Sequence, residues 1–282
     1  MVLHNTTIDP QQIFLKSNEY TTLHNGSFKS DVSFELKNNI QIPNNVDAYL
    51  QLNSFKFTNA FYNINTGNNI FYYSLSSNIN ATLTIQIPIG QYTISNLIST
   101  LNTSLNSNIV LTYSNTTFKI TFTSSAYTFI IRSGSNNCLN VLGFSSATSQ
   151  SNNTKSTKLI NLSGVQVIYL SLSNIKLSSN ASKSSTTNNI LESINVDSMI
   201  GNTQSFYNMT NTRYKISDNY LNFIDVKLYD EYNRLLDFNN VDWYLNISVI
   251  FLYKMQYIAP QLLDLNNVDN NNIDKQTIDE IN

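Results

Sequence analysis

Five carboxylates crowd one stretch of the chain: Asp225, Asp230, Glu231, Asp237 and Asp242. Asp237 and Asp242 could pair as general acid and base, or as two ligands of a metal ion. Either chemistry needs further groups, and no His or Cys lies nearby in sequence to complete a site. The competing reading is local. Asp230-Glu231-Tyr232-Asn233 is a polar hairpin tip, and Asp237 and Asp242 anchor a turn through side chain to backbone bonds. The sequence favours this second reading.

Other candidates fare no better. Asp264, Asn266, Asp269, Asn271, Asp274 and Glu280 look superficially like a calcium loop, but Val268 occupies a ligand position and the central Gly is missing. A solvated acidic tail is expected instead. His4 and His24 sit without a matching cluster. Cys138, beside Leu139 and Leu142, reads as a small core residue rather than a nucleophile. The seven glycines are not spaced as a phosphate loop. Phe71-Tyr72-Tyr73 and the group Phe55, Phe57, Phe61 and Tyr62 could stack sugars or bases, but in strands such rings more often pack between sheets. No catalytic, cofactor-binding or metal-ligating residue is expected, and no cofactor. The chain does not read as an enzyme.

The elements that would carry these residues are strands. Charged residues make up only 12% of the 282, aromatics another 12%, and apolar residues 41%, too many for a disordered chain. The polarity is uncharged (Asn, Ser, Thr), and the many Tyr and Phe suit strands. A net charge of -2 without basic runs argues against binding nucleic acid or anionic lipid. No stretch is long and apolar enough for a spanning helix. The start, MVLHNTTIDPQQ, lacks the pattern of a signal peptide, and a lone cysteine fits a reducing compartment. Sequons such as Asn80-Ala81-Thr82 and Asn161-Leu162-Ser163 are expected to stay unmodified.

Residues 1–30 show no sustained period and read as an extended arm. Alternation then begins in SDVSFEL (Val32, Phe34, Leu36), continues in DAYLQLNSFKFT (Ala48, Leu50, Leu52) and, after the turn NINTGNN, in NIFYYSL. From residue 82 the character changes. TLTIQI is followed by TISNLISTLNTSL, where Ile94, Leu97, Ile98, Leu101 and Leu105 recur at helical spacing behind an N-cap at Thr93. IVLTY, FKITFTS and YTFII follow, and SNNCLNVLGF predicts a short helical turn stopped by Gly143. Residues 82–144 thus form an inserted α+β unit, and 145–158 a polar linker. Strands resume at VQVIYLSL, ILESINV, TQSFYN, LNFIDVKLYD and DWYLNISVIF, with an exposed loop SSNASKSSTTNN between the first two. Residues 255–282 are a tail. The sandwich, residues 31–81 and 159–254, then has eight strands, which suits an all-β jelly roll of two sheets. In the last strand Trp243, Leu245, Ile247, Val249, Phe251 and Tyr253 alternate, and the stripe from Trp243 to Phe251 is its inner face, with Ile224, Val226 and Leu228 of the preceding strand beside it. Each large side chain buried there contributes roughly 1.5–3 kcal/mol.

Several segments resemble the penton (minor capsid) proteins of virophages and polinton-like viruses. FTNAFYNINTGNNIFYY is similar to their asparagine-rich turn after F-Y-N-I-N. IPIGQYTISNLISTLN is similar to the opening I-P-x-G-x-Y-T of their inserted domain, and CLNVLGF to its close. NLSGVQVIYL and NNILESINV keep the same order. IDVKLYDEYNRLLDFNNVDWYLNISV looks like their late hairpin, in which L-x-D-F-N-G-x-D-W leads into the final strand. Asn240 stands where Gly is usual and Asn233 replaces a Gly in the hairpin tip; Asn tolerates a left-handed backbone. The series covers most of residues 31–253. It implies a structural virion protein, made in the host cytoplasm: a jelly roll with an inserted domain, five copies closing a ring at each vertex of an icosahedral shell beside the major capsid protein. The alternatives are a receptor- or glycan-binding module, with the inserted unit meeting a host-surface ligand, and a trimeric spike or fibre.

Overall fold

Period-two alternation becomes strand nearly everywhere it occurs, in a computed structural model that describes residues 7–24, 28–105, 107–175 and 190–254. The loop SSNASKSSTTNN, the tail 255–282 and His4 lie outside the described residues. The chain opens with β1 (Thr7–Lys16), β2 (Thr22–Leu23), β3 (Asp31–Gln41) and β4 (Val46–Thr58). It continues through β5 (Ile70–Leu75), β6 (Asn78–Gln86), α1 (Ile94–Ser104), β7 (Ile109–Ser114), β8 (Lys119–Ser124), β9 (Phe129–Arg132) and β10 (Asn153–Lys155). It closes with β11 (Val167–Leu172), β12 (Ile190–Asn195), β13 (Thr203–Tyr207), β14 (Tyr214–Lys215), β15 (Tyr220–Tyr229) and β16 (Tyr244–Tyr253). The protein is nearly all β, and every ladder between these strands is antiparallel.

Two large sheets share one apolar core. One has the order β1-β16-β4-β13, with β14 also on β4; the other is β12-β11-β15-β3-β2. The pairings are nested: β1 with β16, β3 with β15, β4 with β13, β11 with β12. Trp243, Leu245, Ile247, Val249 and Phe251 all point into this core, whereas Tyr253 is exposed. Ile224, Val226 and Leu228 are buried too, but they face the stripe rather than flank it, because β15 belongs to the opposite sheet and β16 lies between β1 and β4. Trp243 contacts Phe34 of one sheet and Phe55 of the other, each at 6.0 Å between ring centroids. Along β4 the buried positions change phase, from Ala48, Leu50 and Leu52 to Phe55 and Phe57. A bulge opposite Asn246–Ile247 absorbs the extra residue, and Asn53 Nδ2 ties it down by donating to Ser248 Oγ at 2.7 Å.

A second apolar cluster, from Ile64 to Phe144, has its own sheets, β6-β5-β9 and β10-β8-β7, and the helix. Thr93 caps α1 by accepting the Asn96 N–H, and Leu97 and Leu101 are buried. Three expectations change here. First, β5 belongs to this unit, not to the sandwich: its inward ring, Phe71, stacks on Phe122 at 5.1 Å, so the unit begins near residue 63 rather than 82. Second, SNNCLNVLGF folds as turns, with a single helical bond from Leu142 N–H to the Cys138 carbonyl before Gly143 enters the left-handed region at φ 81°. Third, part of the linker 145–158 is strand: β10 pairs with β8, and Ser156 is buried. Ser and Thr side chains leave no apolar period there, because the backbone does the pairing. The arm 1–30 is corrected in the same way. Residues 7–16 form β1, with Ile13 and Leu15 buried, and its alternation was hidden by a register break around Asp9-Pro10.

Candidate functional site

The side chains of the asparagine-rich turn bond mainly to backbone groups, and they build a junction between the two clusters. Asn63, only 3% exposed, sits where the chain leaves the sandwich. Its Oδ1 accepts the Tyr92 N–H at 2.9 Å, and its Nδ2 donates to the Tyr92 carbonyl at 2.8 Å and the Leu162 carbonyl at 3.1 Å. One amide therefore binds the start of the inserted unit, its helix approach and its return. Asn is suited to this because it carries donor and acceptor together. Asn65 Oδ1 then accepts the Gly67 N–H, and Asn68 spans the turn by accepting the Asn65 N–H and donating to the Asn63 carbonyl.

The β15 hairpin tip docks on this turn. Asp230 is buried, and its Oδ1 accepts the backbone N–H groups of Tyr232 (2.9 Å) and Arg234 (2.8 Å). Its Oδ2 receives Arg234 Nε at 2.8 Å and Nη2 at 2.7 Å. The Arg234 guanidinium lies 5.0 Å from the Tyr232 ring centroid and covers Gly67, where a Cβ would come within 2.2 Å of Nη1. Asn233 and Asn240, the two departures from the resemblance, both adopt left-handed φ values, 61° and 62°.

Two clefts open at this junction, each of about 90 Å³. Ligand pockets usually run to roughly 300–1,000 Å³. These clefts have room for a few waters; of the charged groups around them, Asp230 and Arg234 are paired, and Asp237 and Glu231 accept backbone N–H groups.

The sequence candidates are placed as follows. Asp237 Oδ1 accepts the Asn239 N–H at 2.8 Å, making a turn. Asp242 accepts from Lys29 Nζ at 2.7 Å and Ser17 Oγ at 3.0 Å. The Lys29 bond, helped by Ser17, holds the Asp242 carboxyl below its usual range against a smaller opposing effect of burial. That is the wrong direction for a proton donor. His24 is brought beside residues distant in sequence: its Nε2 lies 2.6 Å from Ser33 Oγ, and Ser33 donates to Asp225. The hydroxyl stands between imidazole and carboxylate, and its O–H donates to the carboxylate rather than to the imidazole; a hydrolytic triad places the imidazole in the middle. Cys138 is fully buried, and burial pushes its thiol up to about 12. Phe55, Phe57, Phe61, Phe71 and Tyr73 are buried, and Tyr72 donates its hydroxyl to the Ser135 carbonyl while covering Gly134. Among the described residues no three His, Cys, Asp or Glu gather as a metal site, and no helix is long and apolar enough to cross a membrane.

Virophage structures are among this chain's structural neighbours. The crystal structure of the selenomethionine-labelled mavirus penton protein aligns over 85% of this chain and 99% of its own, with 12% identity and a TM-score of 0.42. A chain of the Sputnik virophage aligns over 87% and 99%, with 13% identity and a TM-score of 0.35. No family model and no curated protein matches the chain.

The residues that sequence reasoning missed are those whose partners are remote. Ser17 and Lys29 meet Asp242 and Trp243 across more than 200 positions: Trp243 Nε1 donates to the Lys29 carbonyl at 2.9 Å and its N–H to Ser17 Oγ at 3.0 Å. No local spacing announces such pairs. The Gly67–Arg234 contact had one signal, a glycine in an otherwise asparagine-filled turn.

Proposed function

We propose that this chain is a structural virion protein: a penton that forms homopentamers at the five-fold vertices of an icosahedral shell, built on one eight-stranded jelly roll with an inserted α+β unit. The observation that carries this reading is the nested strand order. Eight strands of five or more residues give β1-β16-β4-β13 facing β12-β11-β15-β3, and residues 63–162 interrupt them between the third and fourth. Two sheets wound in this way are a recurrent capsid architecture. Fold alone does not fix function, and two further observations point the same way. The penton-like segments fall at the joints of the molecule: the F-Y-N-I-N turn opens the insertion, the Y-T pair precedes α1, and D-F-N-N-V-D-W leads into the last core strand. Only 12% of the residues are charged, so wide contacts between copies would bury few charges.

Copies that meet through two different surfaces close into a ring at the right rotation. Native mass spectrometry of the purified protein is expected to show five copies, and particle images to show this chain at the vertices. A protein that stays monomeric at high concentration and is missing from assembled particles would overturn the reading; a trimer would move it to a spike or fibre.

A further inference from the structure

The outer face of the β1-β16-β4-β13 sheet mixes exposed rings with polar side chains. Its register sets Phe14 opposite Asn246, Asn246 opposite Ser54 and Ser54 opposite Tyr207. Two residues along, on the same face, Lys16, Tyr244, Lys56 and Ser205 make a parallel row. Phe14 is 70% exposed, Tyr207 63% and Tyr244 45%. Neighbouring strands lie ~4.8 Å apart, so Phe14 and Tyr207 stand about 14 Å from one another, with an amide and a hydroxyl between them. The two rows line an open groove of about 380 Å³, within the roughly 300–1,000 Å³ of ligand pockets.

We propose that this groove binds an acidic oligosaccharide laid across the strands. A sugar ring offers a face of C–H groups for an aromatic ring to cover and a rim of hydroxyls for polar side chains. Phe14, Tyr244 and Tyr207 supply the rings, and Ser54, Ser205 and Asn246 the hydrogen bonds. Asn53 Nδ2 donates to Asn246 Oδ1 at 3.1 Å, which leaves the Asn246 amide N–H groups for a sugar oxygen. Tyr244 has an ammonium on either side: Lys16 Nζ lies 5.7 Å from its ring centroid, and Lys56 is its partner on β4. Glu19 is the one acid lining the groove, so two cations meet one carboxylate and favour an anion. Further along the same face Lys215 and Asp47 neutralise each other at 3.0 Å, and Arg213, held by Gln51 Oε1 at 3.1 Å, adds a third cation. A peptide fits less well. The floor strands β16 and β4 are paired on both edges and have no free backbone for an extended segment. A helix needs a continuous apolar strip, which Asn246 and Ser54 interrupt. The inference is independent of the virion role, since it concerns the sandwich of one copy alone.

Calorimetric titration of the full chain tests it, with hexagalacturonate, a heparin-derived hexasaccharide, neutral maltohexaose and hexaglutamate as probes. At least one of the two acidic sugars is expected to bind about tenfold more tightly than maltohexaose and hexaglutamate, and the pair tells carboxylate from sulfate. Proton resonances of the bound sugar are expected to move upfield, because stacked aromatic rings shield them. Tyr244→Ala is expected to weaken binding about tenfold and Tyr244→Phe to recover it. The double variant Lys16→Gln, Lys56→Gln is expected to lose the preference for acidic over neutral sugar. Failure of both acidic sugars to bind overturns the proposal, as does affinity that survives Tyr244→Ala. So does maltohexaose or hexaglutamate binding as tightly, since stacking alone or charge alone then accounts for the groove. Melting curves check that the variants fold. If Tyr244→Ala does not, the upfield shifts on the wild-type protein decide, and a bound sugar without them overturns the proposal.

Discussion

Replacing Gly67 by Ala places a methyl group 2.2 Å from Arg234 Nη1 and 3.0 Å from Cζ. The guanidinium is the far end of a flexible side chain, so it moves away, and the cost is what it leaves behind. Asp230, with its side chain 5% exposed, keeps two backbone N–H donors but loses its charged partner. Breaking a fully buried pair costs about 3–5 kcal/mol. Here Arg234 is 35% exposed, and solvent screening together with the remaining donors reduces the expected loss to about 1–2 kcal/mol. Arg234→Ala is expected to cost about the same, since it removes the same partner. In the Arg234→Ala background, Gly67→Ala is therefore expected to cost almost nothing, because the obstructing atoms are gone. Urea unfolding read by the fluorescence of Trp243, the one tryptophan, reports on the sandwich that carries Asp230. If Gly67→Ala costs as much without Arg234 as with it, the glycine is not there to seat the guanidinium, and the docking argument fails.

Gly143→Ala is expected to be worse and beyond rescue. Its φ of 81° is left-handed, and its Cβ would lie 2.4 Å from the Lys158 backbone carbonyl oxygen, so about 1–3 kcal/mol is lost. Faster amide exchange across β7, β8 and β9 with sandwich exchange unchanged is the check. Asp242→Asn is expected to destabilise fully at pH 7. Because the folded Asp242 carboxyl titrates below its unfolded value, its contribution is present above about pH 4 and fades as pH falls through the folded value. Denaturant midpoints of wild type and variant should thus converge as the pH falls below about 4, and a constant gap would refute the assignment. Cys138, with its thiol pushed up to about 12 inside the second cluster, is expected to react with a thiol reagent at pH 8 only as fast as that cluster opens. Prompt labelling of the native protein would contradict its burial.

Strands with sustained alternation were legible in the sequence because one buried face leaves a period of two; the run from Val32 in β3, that from Ile224 in β15 and β16 are of this kind. α1 was legible from its cap and its 3.6-residue stripe. β1 was not, since Pro10 and a register break interrupt it, and β10 was not, since Asn-Thr-Lys pairs through its backbone and shows no apolar face. Placement was harder than existence. NIFYYSL reads as a strand whichever sheet receives it, and only Phe71 stacking on Phe122 assigns it to the inserted unit. At the candidate site, the Asx-type turns of Asp230 and Asp237 could be read locally, because their bonds span two to four residues. The bonds from Lys29 to Asp242 and from Asn63 to Leu162 could not, because their partners are set by the tertiary fold.

Asn63 touches both Tyr92 and Leu162, so the two points where the excursion departs and comes home are held within the span of one side chain. To the sandwich, everything between them is a closed loop with a fixed gap. Closure entropy grows only logarithmically with loop length, about 0.6 kcal/mol for each doubling. The sandwich is therefore nearly indifferent to how much polypeptide lies between those two points. This socket can accept a shorter or longer excursion, and the unit between Tyr92 and Leu162 is free to change in length while the strands of the sandwich stay the same.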